Sequence, residues 1–227
     1  LVGSEMCIRD SSTADIEHNG LTLNGVGNGT KIENIYVLES ADDAIEFFGG
    51  TVNVTNLLAV NPDDDMFDFT QGYCGTLKNC YGVWESGYTS TEADPRGIEA
   101  DGNLDGDYPD HLRQSDFAVE NMTIVNNAAN TTDNVDRMQD VIKIRRGAKT
   151  TITNALVKGS GGTIDLIDMN DSKGAGSAAS SISVTHTLNF KNKLNGTLNT
   201  FTEPTTNTGA DASLFTWTGY NLSLIHI

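Results

Sequence analysis

Three carboxylates, Glu46, Asp68 and Glu99, recur in matching surroundings along this chain, and Lys143 takes the same place in a later copy. Just ahead of the first two stand the pairs Asp42–Asp43 and Asp64–Asp65. If the copies are neighbouring parallel strands, equivalent residues lie about 4.8 Å apart. Alternation then sends Glu46, Asp68, Glu99, Lys143 and Asp165 out of one sheet face as a column. Like charges so placed repel. They persist when solvated, when a cation sits among them, or when one is protonated. Two carboxyl groups about 5–5.5 Å apart also have the spacing of a retaining glycosidase. The catalytic candidates are therefore Glu46, Asp68, Glu99, Lys143 and Arg145.

A second acidic stretch, Asp101-Gly-Asn103-Leu-Asp105-Gly-Asp107, has oxygen ligands at alternate positions and glycine at the sixth, as in the first half of a calcium loop. Leu112 stands where the bidentate glutamate belongs, so Asp110 would have to supply that carboxylate. Oxygen donors without clustered Cys or His select calcium or magnesium over zinc. The other reading of this stretch is a solvated acidic turn. Nearby Trp84, Tyr88 and Tyr108 could form a stacking platform for sugars, or could pack back on the body of the protein. Cys80 falls at an apolar position and reads as a buried thiol; a bridge to Cys74 requires the coil to bring the two together.

The elements that would position these groups are repeats. Lys31–Gly50 and Asn53–Phe69 are two copies of one unit, with Asn34 matching Asn56, Asp43 matching Asp65 and Phe47 matching Phe69 at an offset of 22 residues. Apolar residues alternate within each copy in short runs bounded by Gly, Asn and Asp, which reads as half-buried strands. A period of this length with two or three strands is one turn of a parallel β-helix. We expect an all-β, right-handed parallel β-helix of about six or seven coils. Its interior columns would be Ile45, Phe67, Ile98, Ile142, Ile164 and Phe47, Phe69, Ala100, Ile144, Leu166. Asn34, Asn56, Asn79, Asn121 and Asn154 fill one coil position, where asparagine tolerates the left-handed conformation and stacked amides can bond in a ladder. The period is broken by insertions within Trp84–Asp116 and Asn126–Asp140. In solenoids such insertions are loops.

The termini are set aside. Met6-Cys-Ile-Arg-Asp10 and Leu222-Ser-Leu-Ile-His-Ile227 can be encoded by opposite strands of one DNA element, and they resemble translated sequencing-adapter ends of a metagenomic assembly. The division is then 1–11 adapter-derived, 12–168 β-helix, with Asp15–His18 as a first strand, 169–221 a loop-rich strand and cap region, and 222–227 adapter-derived. Lys and Arg number 14 against 31 Asp and Glu, a net charge of −17, which argues against nucleic acid and anionic membranes as partners. No apolar run is long enough to span a membrane.

The runs Asn19–Thr30, Ser40–Thr51, Asp63–Phe69 and Gly97–Asp101 resemble a group of largely uncharacterised bacterial secreted or surface proteins with the pectin-lyase-like β-helix fold. The resemblance spans about residues 13–168. It implies the fold and an extracellular or cell-surface location, and it carries no settled activity. The aspartate pairs resemble those of pectin-degrading hydrolases, although a Gly-His-Gly element is absent and Ile142–Arg146 has a different order from their Arg-Ile-Lys. Lyases of this fold use a calcium-bound carboxylate and a basic proton acceptor, roles that Asp68, Glu99, Lys143 and Arg145 could fill. Two functions remain open: a polysaccharide- or surface-binding protein, calcium-stabilised, or a polysaccharide lyase or glycoside hydrolase working on the carboxylate face.

Overall fold

In the computed structural model, which describes the backbone of Val2–Cys7 and residues 18–128 and 138–222, short parallel strands alternate between two sheets. The first sheet stacks β2 (Leu21–Asn24), β4 (Ile45–Phe48), β6 (Phe67–Thr70), β8 (Ile98–Asp101), β10 (Asp140–Arg145), β12 (Gly162–Asp168) and β14 (Asn189–Asn195). The second stacks β1 (Val2–Cys7), β3 (Lys31–Leu38), β5 (Asn53–Val60), β7 (Thr76–Trp84), β9 (Asp116–Asn126), β11 (Lys149–Lys158), β13 (Ser181–His186) and β15 (Thr200–Thr202). Each coil gives one strand to each sheet and pairs with the coils before and after it, so the chain is a parallel β-helix. Residues 15–17 of the expected Asp15–His18 strand and the centre of the second insertion lie outside the described residues, and His18 is not in a strand. Val2–Cys7, in the segment set aside above, runs along β3.

The long strands of the second sheet bend midway, and the bend is the asparagine. Asn34, Asn56, Asn79, Asn121 and Asn154 all have φ between 53 and 58°. Most L-residues pay about 1–2 kcal/mol to enter that region, and asparagine less. The Asn56 and Asn79 amides each donate to the preceding asparagine's Oδ1 at 2.9 Å, and Asn154 donates to Asn121 at 2.8 Å. The bend gives the coil a third face and lets Ile32, Ile35 and Val37 all point inward. The interior is then columns. Ile35, Leu57, Cys80, Met122, Ala155 and Val184 are level with one another. Cys80 is a fully buried free thiol in that column, and Cys74 is free as well.

The first-sheet column departs from the repeat at its far end. Ile98 is level with Ile142, but Ile142 is level with Ile167 and Lys143 with Asp168, not with Ile164 and Asp165. Extra residues are absorbed in the glycine-flanked turn at 159–161, where the Gly161 N–H donates to the Asn126 carbonyl at 2.9 Å. Strand alternation cannot count residues in a turn, so the register after it is not readable from periodicity.

The first insertion is two loops, 85–97 and 102–115, one on either side of β8. Beyond β15 the chain does not cover the last coil. It runs back along the third face as a strap. Asn207 donates to the Ala155 and Ser183 carbonyls at 3.1 Å, Thr208 N–H donates to Asn154 Oδ1 at 2.8 Å, and Asp211 N–H donates to Asn79 Oδ1 at 2.6 Å. A short 3-10 helix, Ala212–Thr218, then buries Phe215 in a second apolar cluster with Tyr36, Leu58, Val60, Tyr81, Val83 and Val125. The Tyr220 hydroxyl closes the strap on Glu85 Oε1 at 2.7 Å.

Candidate functional site: a charged face on the first sheet

Two polar columns run side by side along the outside of the first sheet. One is Thr22, Glu46, Asp68, Glu99, Lys143, Asp168, Asn195, each level with the next. The other lies three residues earlier in every coil: Asn19, Asp43, Asp65, Arg96, Asp140, Asp165, Asn192. The expected outward column is therefore correct through Lys143. Asp168 replaces Asp165 in it, and Asp165 belongs to the other column.

The far half of the face is charge-balanced. Arg96, buried inside its loop, holds Asp94 at 2.5 Å, pairs with Glu99 and lies 3.6 Å from Asp140. Burial alone would weaken the Arg96 charge, but Asp65, Glu99 and Asp94 outweigh it and raise its pKa. Arg145 is bonded to Glu99 and, at 2.6 Å, to Asp101; Lys143 is bonded to Asp168. Asn192 and Asn195 donate to Asp165 at 2.6 and 3.3 Å. Both candidate bases, Lys143 and Arg145, are thus held by carboxylates rather than free to take a proton.

The near half is almost purely acidic. Oxygens of Asp43, Asp65 and Asp68 lie within 4.8 Å of one another, and those of Asp42, Asp43 and Asp64 do the same. Asp43 Oδ1 accepts the Asp65 N–H at 3.0 Å, and Glu46 accepts from the Asn19 amide. Asp64 Oδ1, Asp65 Oδ1 and Asp68 Oδ1 are buried without a hydrogen-bond partner among the described residues. A buried polar oxygen left unpaired costs about 1–3 kcal/mol, more when charged. Two ionised carboxylates 4.8 Å apart repel by about 3–4 kcal/mol at an effective dielectric constant near 20. Burial first, and then the neighbouring carboxylates, pushes Asp43, Asp65 and Asp68 well above the usual carboxylate range. Burial likewise lifts Asp64 to about 8 and Glu46 to about 7. The cluster cannot stand fully ionised by itself. It must take up protons or a cation, and its hard oxygen donors from successive coils fit a divalent ion such as calcium.

The other candidates fall elsewhere. In the Asp101–Asp110 stretch, the places a cation would take are filled by basic side chains. Asp101 accepts from Arg145 at 2.6 Å and Arg146 at 2.7 Å, Asp105 from Arg146 at 3.4 Å, and Asp107 from Lys173 at 3.1 Å. Asn103 donates to Gln114 at 2.8 Å and accepts the Tyr108 N–H at 2.9 Å; Asp110 stands exposed. The ligand spacing is present, but no three of these carboxylates bring oxygens within 4.8 Å of one another. Trp84 is fully buried with its indole N–H on the Pro62 carbonyl at 3.1 Å, and the Tyr88 hydroxyl donates to the same carbonyl at 2.8 Å. These two rings pin loop 85–97 and form no platform. Tyr108 is 56% exposed and stays open to a ligand.

Arg96, Asp140 and Asp168 are residues that the sequence reading did not single out. For Asp140 the signal was available, since it stands three places ahead of Lys143 as Asp43 and Asp65 stand ahead of Glu46 and Asp68. Arg96 closes an inserted loop, and Asp168 belongs to the outward column itself, beyond the change of register.

Neither a curated protein nor a solved structure matches the chain. One family model, described as the pectate-lyase like beta helix domain, matches residues 10–220. With that match over nearly the whole length and this fold, the chain belongs to the family of pectate-lyase-like β-helix domains.

Proposed function

We propose that the protein works outside the cell as a carbohydrate-binding β-helix, and that a glycan lies along the first sheet with a divalent cation held by Asp43, Asp65 and Asp68. The observation that carries this reading is the set of buried oxygens on Asp64, Asp65 and Asp68 that have no partner among the described residues. Groups of that kind cost stability unless something binds them. A polyhydroxylated or carboxylate-bearing chain would add its own oxygens to the coordination of such an ion. Isothermal titration of the chelator-treated protein with calcium should show binding. Retention on immobilised acidic polysaccharides should require that calcium and vanish in chelator. Retention unchanged by chelator would overturn the reading.

A second reading, glycoside hydrolysis, is favoured by one pair. Glu46, lifted to about 7, is level with Asp68 on the next strand, so a protonated acid stands beside a second carboxyl group. Release of reducing ends from a polysaccharide, lost in Glu46→Gln, would establish it. Lyase chemistry draws less support, because Lys143 and Arg145 are both engaged by carboxylates.

A further inference from the structure

Arg113 differs from the other described arginines. Arg96, Arg145 and Arg146 are all ion-paired. The Arg113 guanidinium has no carboxylate or hydrogen-bond partner among the described residues, in a chain with 31 acidic side chains. It lines a cavity of about 280 Å³ together with Gln71, Asn103, Leu104, Tyr108 and His111. Loop 102–115 builds this cavity against the turn that follows β6, and none of the clustered carboxylates lines it.

The cavity is held in shape from behind. The Gln114 amide reaches the Tyr108 and His111 carbonyls at 3.2 Å, and Asn103 Oδ1 accepts the Tyr108 N–H. Gly72, at φ +78°, seats the loop: a Cβ there would come within 2.8 Å of the Arg113 carbonyl oxygen. The binding groups themselves face solvent, with Tyr108 56% and Leu104 42% exposed. An aromatic face, an apolar side chain, amides and an unpaired guanidinium are the groups that take a sugar ring and its carboxylate.

We propose that this cavity is a subsite for a single carboxylate-bearing sugar residue, bound by Arg113 and stacked on Tyr108 without help from a metal ion. The proposal rests on the glycan-binding reading, and its chemistry is opposite to that of the cation cluster: here the protein supplies the positive charge. The size of the cavity suits one ring, such as a chain end or a side branch, rather than a run of polymer.

The test is ligand-observed NMR with D-glucuronate in the presence of chelator, with glucose, acetate and glucose 6-sulfate as comparison probes. Glucuronate should bind wild type at least about tenfold more tightly than the other three, as a charge-assisted bidentate contact predicts. Arg113→Gln should remove that preference and Tyr108→Ala should weaken binding, while the melting temperature stays unchanged because neither side chain is buried. Glucuronate binding no better than glucose, or equal in Arg113→Gln, overturns the subsite. Acetate binding as tightly as glucuronate overturns the sugar, and glucose 6-sulfate doing so overturns the carboxylate. If glucuronate fails these comparisons while calcium-dependent retention on polysaccharide persists, the cation reading stands and the subsite falls; loss of that retention with the glucuronate preference intact leaves the subsite and overturns the cation reading.

Discussion

Replacing Asp65 and Asp68 together with asparagine will stabilise the cation-free protein at pH 8 and remove its response to calcium. Both side chains are buried and each has an oxygen without a partner, so the substitutions exchange two charge-burdened groups for neutral amides that can donate to Asp43. The pH dependence has a definite sign. Glu46 is raised from 4.5 to about 7 and Asp64 from 3.8 to about 8, each mainly by burial. Between those limits the native state holds more protons than the unfolded chain, so stability is full near pH 4 and declines as pH rises towards 8. Calcium competes with those protons, and its stabilising effect should grow over the same range. At a hundred times its dissociation constant it adds about 2.7 kcal/mol, which for a chain of this length moves the melting temperature by roughly 5–10 °C. Melts from pH 4 to 8 in chelator and in calcium, at constant ionic strength, provide the check. A double variant that is less stable than wild type in chelator, or that still gains from calcium, sinks the cation site.

Phe69→Ala should cost about 3–5 kcal/mol, a large part of the 5–15 kcal/mol that holds an ordinary domain together. Phe69 is fully buried, with ring centroids 5.0 Å from Phe47, 4.0 Å from Phe117 and 5.6 Å from Tyr73. Those partners come from the preceding coil, from the opposite sheet and from the turn between β6 and β7. No single side chain can shift to fill the space, because each is fixed by its own column. Urea denaturation should show a lower midpoint with an unchanged slope, and calcium affinity should fall too, since Phe69 is the neighbour of Asp68 in β6. A shift in free energy under about 1 kcal/mol would mean that the stack does not carry the core at that point.

How far the sequence could be read depended on distance along the chain. Ile45, Phe67, Ile98 and Ile142 could be aligned because strands dictate which residues face inward, and the asparagines could be aligned because few residues accept φ near +55°. The calcium-like spacing at Asp101–Asp107 was equally regular, yet its carboxylates are met by Arg145, Arg146 and Lys173 from distant coils, and local spacing carries no information about them. Arg96 was hidden for a related reason: it lies in an insertion, and only the stacking of β6, β8 and β10 shows that it occupies the Asp65 position. The strap has no strand alternation, so nothing in 203–222 indicates which face it crosses. Its partners Asn79 and Asn154 were already explained by the ladder.

That strap changes how the solenoid should come apart. In a stack where each coil touches only its neighbours, stability is a sum of local contributions and the ends can fray one coil at a time. Here residues 207–222 join coils that contain Ser183, Asn154, Thr123, Asn79 and Tyr36. Opening the terminal coil releases its own contacts but does not free the strap, which stays anchored by Phe215 and Tyr220 several coils away. The strap therefore couples distant coils as a tie-rod does and turns a chain of weakly linked units into one cooperative body. Unfolding followed by Trp84 and by hydrogen exchange in β13 should coincide, and cutting the strap at Pro204 should separate the two.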